Sequence, residues 1–147
     1  MIAIIGAMEE EIALIKNEMR AIKEAEYSFI KFFSGKINEK DVVLLRSGIG
    51  KVNAATSTTI LFENYDIDAV INIGTAGGIK KSCQVLDIIL SENVCYHDVD
   101  ITAFNYQYGQ IPLCPLFFPS DEKMLRISED ILKKEKLPYH KGLIVSG

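Results

Sequence analysis

Residues 1–22 have the sequence MIAIIGAMEEEIALIKNEMRAI, in which a short apolar run passes through one glycine into a helical pattern. The run from Ile2 to Ile5 has the length and composition of a strand that is buried on both faces. Gly6 allows the chain to turn. Apolar residues then recur at helical spacing, at positions 8, 12, 15, 19 and 22. The order strand, glycine, helix is typical of an α/β protein.

Three consecutive carboxylates, Glu9, Glu10 and Glu11, occupy the first turn of this predicted helix. On a helical wheel, Glu9 and Glu10 point away from the apolar stripe, whereas Glu11 falls about 60° from its centre. Acidic residues in a first turn commonly complement the helix dipole, and this explains Glu9 and Glu10. Glu11 is predicted to be half-buried at the carboxyl end of a strand. A desolvated carboxylate in that position can serve as a catalytic base.

Length and charge limit the possible functions. The 147 residues fit one domain, and 20 acidic against 16 basic residues provide no positive surface for a phosphate backbone, so nucleic acid is not an expected partner. Three cysteines without paired spacing indicate reduced thiols. The first apolar run has no basic segment before it, and no segment has the length of a membrane span. We therefore expect a soluble, cytoplasmic protein that does not enter a membrane.

The remaining chain continues the α/β pattern. The predicted elements are strands at 27–33 and 41–46 joined by a hairpin-like connection, a helix at 52–65, strands at 69–73 and 85–94, a helix that begins at Ser120 or Asp121, and a strand at 142–147. Between 96 and 119 lies a long segment rich in aromatic residues. The last strand has no turn, helix or cap after it. We expect 1–147 to be a single domain that lacks its carboxyl-terminal part.

Two glycine-rich segments follow predicted strands. Residues 48–51 (GIGK) lack the earlier glycine and the following Ser or Thr of a phosphate-binding loop, so the glycines are expected to form a tight turn that lets Ile49 face a cleft. Residues 74–78 (GTAGG) lack the glycine spacing of a dinucleotide site, so no cofactor is expected. They form either a structural turn or a platform where backbone N–H groups and the Thr75 hydroxyl approach a ligand.

The segment after residue 95 offers two further interpretations. Residues 96–100 (YHDVD) contain three potential metal ligands, but hydrogen bonding inside an ordered loop explains such residues more often, so no metal is expected. Residues 101–109 (ITAFNYQYG) expose more aromatic surface than a solvated loop should. The protein's own core, a partner subunit or an apolar ligand could cover that surface, and composition leaves all three open.

Four segments together carry a family resemblance: residues 4–11 (IIGAMEEE), 47–52 (SGIGKV), 74–78 (GTAGG) and 96–104 (YHDVDITAF). The chain resembles the 5′-methylthioadenosine/S-adenosylhomocysteine nucleosidases of the purine nucleoside phosphorylase-like superfamily, in order and without visible gaps from Met1 to Gly147. The resemblance implies a nucleoside phosphorylase/hydrolase-like fold with a central mixed sheet flanked by helices. It also implies hydrolysis of the N-glycosidic bond of a thionucleoside with release of adenine, in methionine salvage, without cofactor or metal.

The same resemblance implies roles for individual residues. Glu11 matches the general base, which activates water against the ribosyl C1′. Met8 and Ile49 match positions around the ribose and the alkylthio group, and Thr75, Ala76 and Gly77 match substrate contacts, with Thr75 in place of the usual Ser. A further set matches the loop between Tyr96 and Pro112 that reaches across a homodimer to close the neighbouring pocket: Ile101, Phe104, Tyr106 and Pro112.

The chain also departs from the family pattern. Family members continue beyond the motif that ends at Gly147 with a base-stacking loop, a Met-Glu segment that binds the ribose hydroxyls, and the aspartate that protonates the purine. The chain alone is therefore expected to be inactive. Leu86 stands where the family usually has a turn glycine. A purine nucleoside phosphorylase and a non-catalytic dimerising fragment remain as alternatives, although Asn72 stands where related phosphorylases place a phosphate-binding Arg.

Overall fold

The apolar run at the amino terminus is the second strand from one edge of a five-stranded sheet. The structure, a computed structural model, describes all 147 residues. Its elements are β1 (Ile2–Gly6), α1 (Glu9–Glu18), β2 (Arg20–Tyr27), β3 (Ile30–Ile37), β4 (Lys40–Arg46), α2 (Lys51–Asn64), β5 (Ala69–Ile73), β6 (Ile88–Tyr96), a 3₁₀ turn (Thr102–Phe104), β7 (Phe118–Pro119), α3 (Glu122–Lys134) and β8 (Tyr139–Ser146). The chain divides into two compact units, 1–75 and 76–147. None of the helices is long and apolar enough to span a membrane.

The sheet of the first unit has the strand order β2-β3-β4-β1-β5. Strand β1 runs parallel to both of its neighbours, β4 and β5, whereas β2, β3 and β4 form an antiparallel meander. The sheet is therefore mixed. The predicted α/β class with a central mixed sheet and helices is confirmed.

Both faces of this sheet are buried at β1 and β4. Because side chains alternate along a strand, Ala3 and Ile5 lie on one face and Ile4 on the other. The first face packs in one apolar cluster with Leu61 of α2, and the second packs with Ile12 of α1. The helices α1 and α2 thus cover opposite faces, which explains why the first strand is apolar at every position from Ile2 to Ile5.

The first helix is shorter than predicted. It ends at Glu18, and residues 20–27, whose beginning was expected to continue the helix through Ile22, form the edge strand β2. Met19 adopts an extended conformation, with φ −75° and ψ 144°, and its N–H donates to the carbonyl of Lys16. The charged, exposed sequence of β2 suits an edge strand, because charges there hinder pairing with other chains.

The predicted hairpin between the next two strands is present, with different bounds. Strands β3 and β4 pair through Ile37 and Lys40, so only Asn38 and Glu39 connect them. Both of these residues have positive φ values, 44° and 63°. A two-residue connection with two positive φ values matches the right-handed twist of the strands that it joins.

The second unit contains a three-stranded sheet in the order β7-β6-β8, with β6 parallel to β8. The predicted helix is α3, and Asp121 is its N-cap because the Asp121 carboxylate accepts a hydrogen bond from the N–H of Met124 at 2.8 Å.

The Glu129 carboxylate of α3 contacts β8, because it accepts a hydrogen bond from the Tyr139 hydroxyl. It also pairs with Lys133 of its own helix, and these contacts lower the pKa of Glu129 to about 2. The two-residue strand β7 was not predicted.

Leu86 lies in a turn that ordinarily requires glycine. Its φ is 77°, and its side chain is 94% exposed. The turn is closed by Asp87, whose carboxylate accepts from the N–H of Gln84 at 2.7 Å. A left-handed conformation costs a residue with a Cβ about 1–2 kcal/mol, so leucine strains this bend. The turn also explains why β6 begins at Ile88 and not at Val85 as predicted.

Candidate active site

The Glu11 carboxylate lies at the carboxyl-terminal edge of the five-stranded sheet. Its Oε2 accepts hydrogen bonds from the backbone N–H groups of Ala7 at 2.7 Å and Met8 at 3.0 Å. Its Oε1 accepts from the N–H of Thr75 at 3.2 Å. Three backbone donors, from the loops after β1 and β5, therefore fix the orientation of one carboxylate.

The three neighbouring glutamates differ in exposure as the helical wheel predicts. Glu11 is half-buried, whereas Glu9 and Glu10 are exposed. Glu9 lies 3.5 Å from the guanidinium of Arg46 in a surface ion pair. Such exposed pairs contribute little to stability. Glu11 alone of the three combines partial burial with a fixed carboxylate.

Two glycines make room for this carboxylate. A Cβ added to Gly74 would lie 2.8 Å from Oε1 of Glu11, and one added to Gly6 would lie 2.6 Å from Cγ2 of Ile12 and 3.1 Å from Cβ of Glu11. Gly6 does not have a positive φ. The chain turns directly after Gly6 as predicted, but the backbone conformation of Gly6 does not itself require glycine. Glycine is needed there because α1 packs closely against the end of β1.

The loop between β4 and α2 reaches the same edge of the sheet. Gly48 and Gly50 both have positive φ values, 84° and 97°, which glycine adopts readily, so the predicted tight turn is present. Ile49 between them is 72% exposed. The buried Ser47 anchors the loop, because its N–H donates to the carbonyl of Gly6 at 2.9 Å. Sequence reasoning did not identify Ser47, although it directly precedes the glycine pair.

The small residues after β5 form no regular structure. Thr75, Ala76 and Gly77 are all exposed, and no helix follows them. A Cβ added to Gly77 would meet nothing within 4 Å. The backbone at Gly77 therefore faces open space. The Thr75 N–H, by contrast, is already engaged by Glu11.

The loop after β6 is internally braced. The Tyr108 hydroxyl donates to the carbonyl of His97 at 2.8 Å, and the N–H of Gly109 donates to the carbonyl of Val99 at 2.9 Å. The Asp100 carboxylate accepts from the N–H and the hydroxyl of Thr102, at 3.1 and 2.8 Å, and these bonds lower its pKa. Asp100 thus has a hydrogen-bonding role within the loop.

The braced loop presents the predicted aromatic surface. Phe104 is 75% exposed and Tyr108 is 59% exposed, whereas Ile101 and Tyr106 are half-buried and Pro112 is exposed. A rigid loop that holds a phenylalanine in solvent is an expected feature of a contact surface. Within the second unit, nothing covers Phe104.

Comparison with known proteins gives one consistent result. The sequence model described as "Phosphorylase superfamily" matches residues 1–147. The 5′-methylthioadenosine/S-adenosylhomocysteine nucleosidase of Staphylococcus haemolyticus is 48% identical over the whole chain, which covers 64% of that relative. The chain thus spans just under two thirds of the length of this relative.

Solved structures agree with the sequence match. The 5′-methylthioadenosine/S-adenosylhomocysteine nucleosidase of Neisseria meningitidis, solved in complex with methylthio-immucillin-A, superposes on this chain with a TM-score of 0.96 at 39% identity. The superposition covers 99% of this chain and 64% of the Neisseria meningitidis chain. The S-adenosylhomocysteine nucleosidase of Streptococcus pyogenes, in complex with 5-methylthiotubericidin, gives a TM-score of 0.96 at 36% identity, over 99% of this chain and 62% of that one.

Proposed function

Since the chain belongs to the phosphorylase superfamily, we propose that it carries the base-bearing part of a hydrolase that cleaves the N-glycosidic bond of 5′-methylthioadenosine and S-adenosylhomocysteine. The products are adenine and a thioribose, and the reaction serves methionine salvage in the cytoplasm. One observation carries the proposal: a half-buried carboxylate, Glu11, is held by three backbone N–H groups at the carboxyl-terminal edge of a parallel strand pair. This edge is where α/β folds bind ligands.

The reaction follows from that geometry. The Glu11 carboxylate takes a proton from water, and the water oxygen forms a bond to C1′ as the bond between C1′ and the purine breaks. Adenine leaves with the electron pair and takes up a proton. The three backbone donors hold the carboxylate in place, so no reorientation is needed at the moment of proton transfer. A positioned base of this kind contributes about 10²–10⁴-fold to the rate.

Three of the proposed substrate contacts lie in the same compact unit as this base. Met8, Ile49 and Thr75 follow β1, β4 and β5, the three adjacent parallel strands, so they lie at the same sheet edge as Glu11. The exposed side chain of Ile49 offers an apolar surface for the ribose or alkylthio group. Ala76 and Gly77 are proposed as backbone contacts, which is supported by the open space at Gly77. No cofactor or metal enters the proposed reaction.

The single nucleosidase domain expected over 1–147 remains a proposal. It is supported by one family model that matches the whole chain. The relatives are longer, since the chain covers 64% of the Staphylococcus haemolyticus enzyme. We propose that the group that protonates the purine lies in the portion outside these 147 residues, so the chain alone is inactive.

The test uses an extended protein, defined as this chain joined to the part of the Staphylococcus haemolyticus relative that lies outside the match. We expect it to release adenine from methylthioadenosine at a rate independent of phosphate, with free thioribose as the second product. A requirement for phosphate and formation of the sugar 1-phosphate would identify a phosphorylase. An extended protein that folds and releases no adenine would support a non-catalytic fragment. Chromatography of both products distinguishes these outcomes.

We further propose that the loop from Tyr96 to Pro112 mediates a homodimer in which each subunit completes the pocket of the other. Ile101, Phe104, Tyr106 and Pro112 would form the contact. The proposal is supported by the rigid bracing of the loop through Tyr108 and by the 75% exposure of Phe104. Large aromatic side chains in an ordered surface loop are typical of interface cores.

Replacing Phe104 and Tyr106 with Ser in the extended protein is expected to shift sedimentation toward the monomer and to raise KM by about 10-fold or more, since aromatic interface residues commonly contribute over 1 kcal/mol each. Phe29→Ser is the matched control, because Phe29 is 68% exposed and lies in a hairpin remote in sequence from the loop. A double variant that stays dimeric with unchanged KM would contradict the proposal that this loop completes the pocket of the partner subunit.

A further inference from the structure

The two oxygens of the Glu11 carboxylate are not equivalent. A carboxylate offers about four acceptor positions, two on each oxygen. Oε2 uses both of its positions, because it accepts from the N–H groups of Ala7 and Met8. Oε1 uses one, for the longer bond from the N–H of Thr75. After these three backbone bonds, Oε1 retains one acceptor position, and it is the oxygen suited to take a proton from water.

Gly74 lies directly against this oxygen. A Cβ at position 74 would be 2.8 Å from Oε1, 3.3 Å from Cδ and 3.5 Å from Oε2 of Glu11, and no other atom is among its three nearest neighbours. Gly74 does not have a positive φ, so its backbone conformation is open to any residue. The close approach of the carboxylate is thus the structural reason for glycine at this position.

Gly6 provides a contrast. Its nearest neighbour would be Cγ2 of Ile12, a fully buried side chain of the apolar core, at 2.6 Å. A methyl group at Gly6 would therefore disturb packing that the fold needs. A methyl group at Gly74 would meet the end of a flexible side chain. Glu11 can rotate away from it, so the fold survives while the carboxylate moves.

We propose that Gly74 is a positioning residue: the absence of a side chain there keeps Oε1 of Glu11 beside the Thr75 N–H as the proton-accepting oxygen. This inference rests on the proposed hydrolysis and adds a residue to it. Gly74 itself contributes no group to the reaction. Its effect passes entirely through the position of the Glu11 carboxylate.

The test compares Gly74→Ala with the parent extended protein. Since a misplacement of about 1 Å can cost about 10²-fold in rate, we expect kcat for adenine release to fall by about 10–100-fold while KM stays within about 3-fold. The melting temperature should stay within about 3 °C of the parent. Gly142→Ala is the matched control, because a Cβ there meets nothing within 4 Å, and it should leave kcat and KM unchanged.

A double-mutant cycle separates positioning from a general structural effect. The side chain of Asp is one methylene shorter than that of Glu, so Glu11→Asp moves the carboxylate away from the methyl group that Gly74→Ala adds. In a protein that already carries Glu11→Asp, Gly74→Ala should therefore lower kcat by less than about 3-fold. Equal losses in both backgrounds would overturn the inference, as would a rise in KM without a fall in kcat. A Gly74→Ala protein that unfolds would also overturn it, because the glycine would then serve packing.

The outcomes distinguish this inference from the function on which it rests. If the parent releases adenine and Glu11→Gln abolishes the release, but Gly74→Ala keeps the parent kcat, only the role of Gly74 is wrong. If the parent extended protein folds and releases no adenine, the proposed hydrolysis fails and the inference fails with it.

Discussion

Glu11→Gln is expected to lower adenine release by the extended protein by about 10²–10⁴-fold, because an amide is isosteric with the carboxylate but does not accept a proton from water at neutral pH. The measurement is kcat for methylthioadenosine by chromatographic quantification of adenine. Stability should change little. The amide oxygen can still accept from Ala7 and Met8, and only the exposed bond from Thr75 is lost, which is worth about 1 kcal/mol.

Glu10→Gln is the matched control for this experiment, because Glu10 is the adjacent residue and is exposed. Glu9→Gln should also be nearly silent, since it removes only a surface ion pair with Arg46. Both controls change the charge of the same helical turn by the same amount. A Glu11→Gln protein that retains the kcat of the parent would contradict the proposal that Glu11 is the general base, whatever the controls show.

The second large effect concerns the 147 residues by themselves. Purified without the added portion, the chain is expected to release no detectable adenine. Adenine is a poor leaving group unless it is protonated, and loss of the general acid alone costs about 10²–10⁴-fold. The comparison is the rate per mole of protein against the extended protein, measured on the same substrate.

The isolated chain is also expected to self-associate. Leu143 and Val145 on the edge strand β8 are 51% and 38% exposed, and Val70 on the edge strand β5 is 39% exposed. Open strand edges that carry apolar side chains favour association. Adenine release by the highly purified chain that is abolished by Glu11→Gln would show that these residues need no further acid. A monodisperse monomer in sedimentation would contradict the association.

Much of the fold and part of the site could be predicted from local pattern. The apolar run at 2–5 identified β1, the small and apolar residues after Gly50 identified α2, and the wheel placed Glu11 at the edge of the buried stripe. These features depend on periodicity and composition within one turn or strand, which the sequence displays directly. The substrate contacts implied by resemblance, from Met8 to Pro112, stay predictions.

Other features depend on neighbours that are remote in sequence. Residues 20–26 (RAIKEAE) favour a helix by propensity, yet they form β2 because pairing with β3 overrides local preference. The turn at Leu86 adopts a positive φ although leucine opposes it, and pattern alone therefore began the following strand too early.

The sequence by itself determined that the chain is an α/β protein with a half-buried glutamate after its first strand, because amphipathic periodicity is a local property. Only the tertiary structure decided what holds that glutamate. The Thr75 N–H and the bare backbone of Gly74 reach Glu11 across more than 60 residues of chain, since β1 and β5 pair in parallel and end at the same edge. That proximity is created by strand pairing, and no local pattern encodes it.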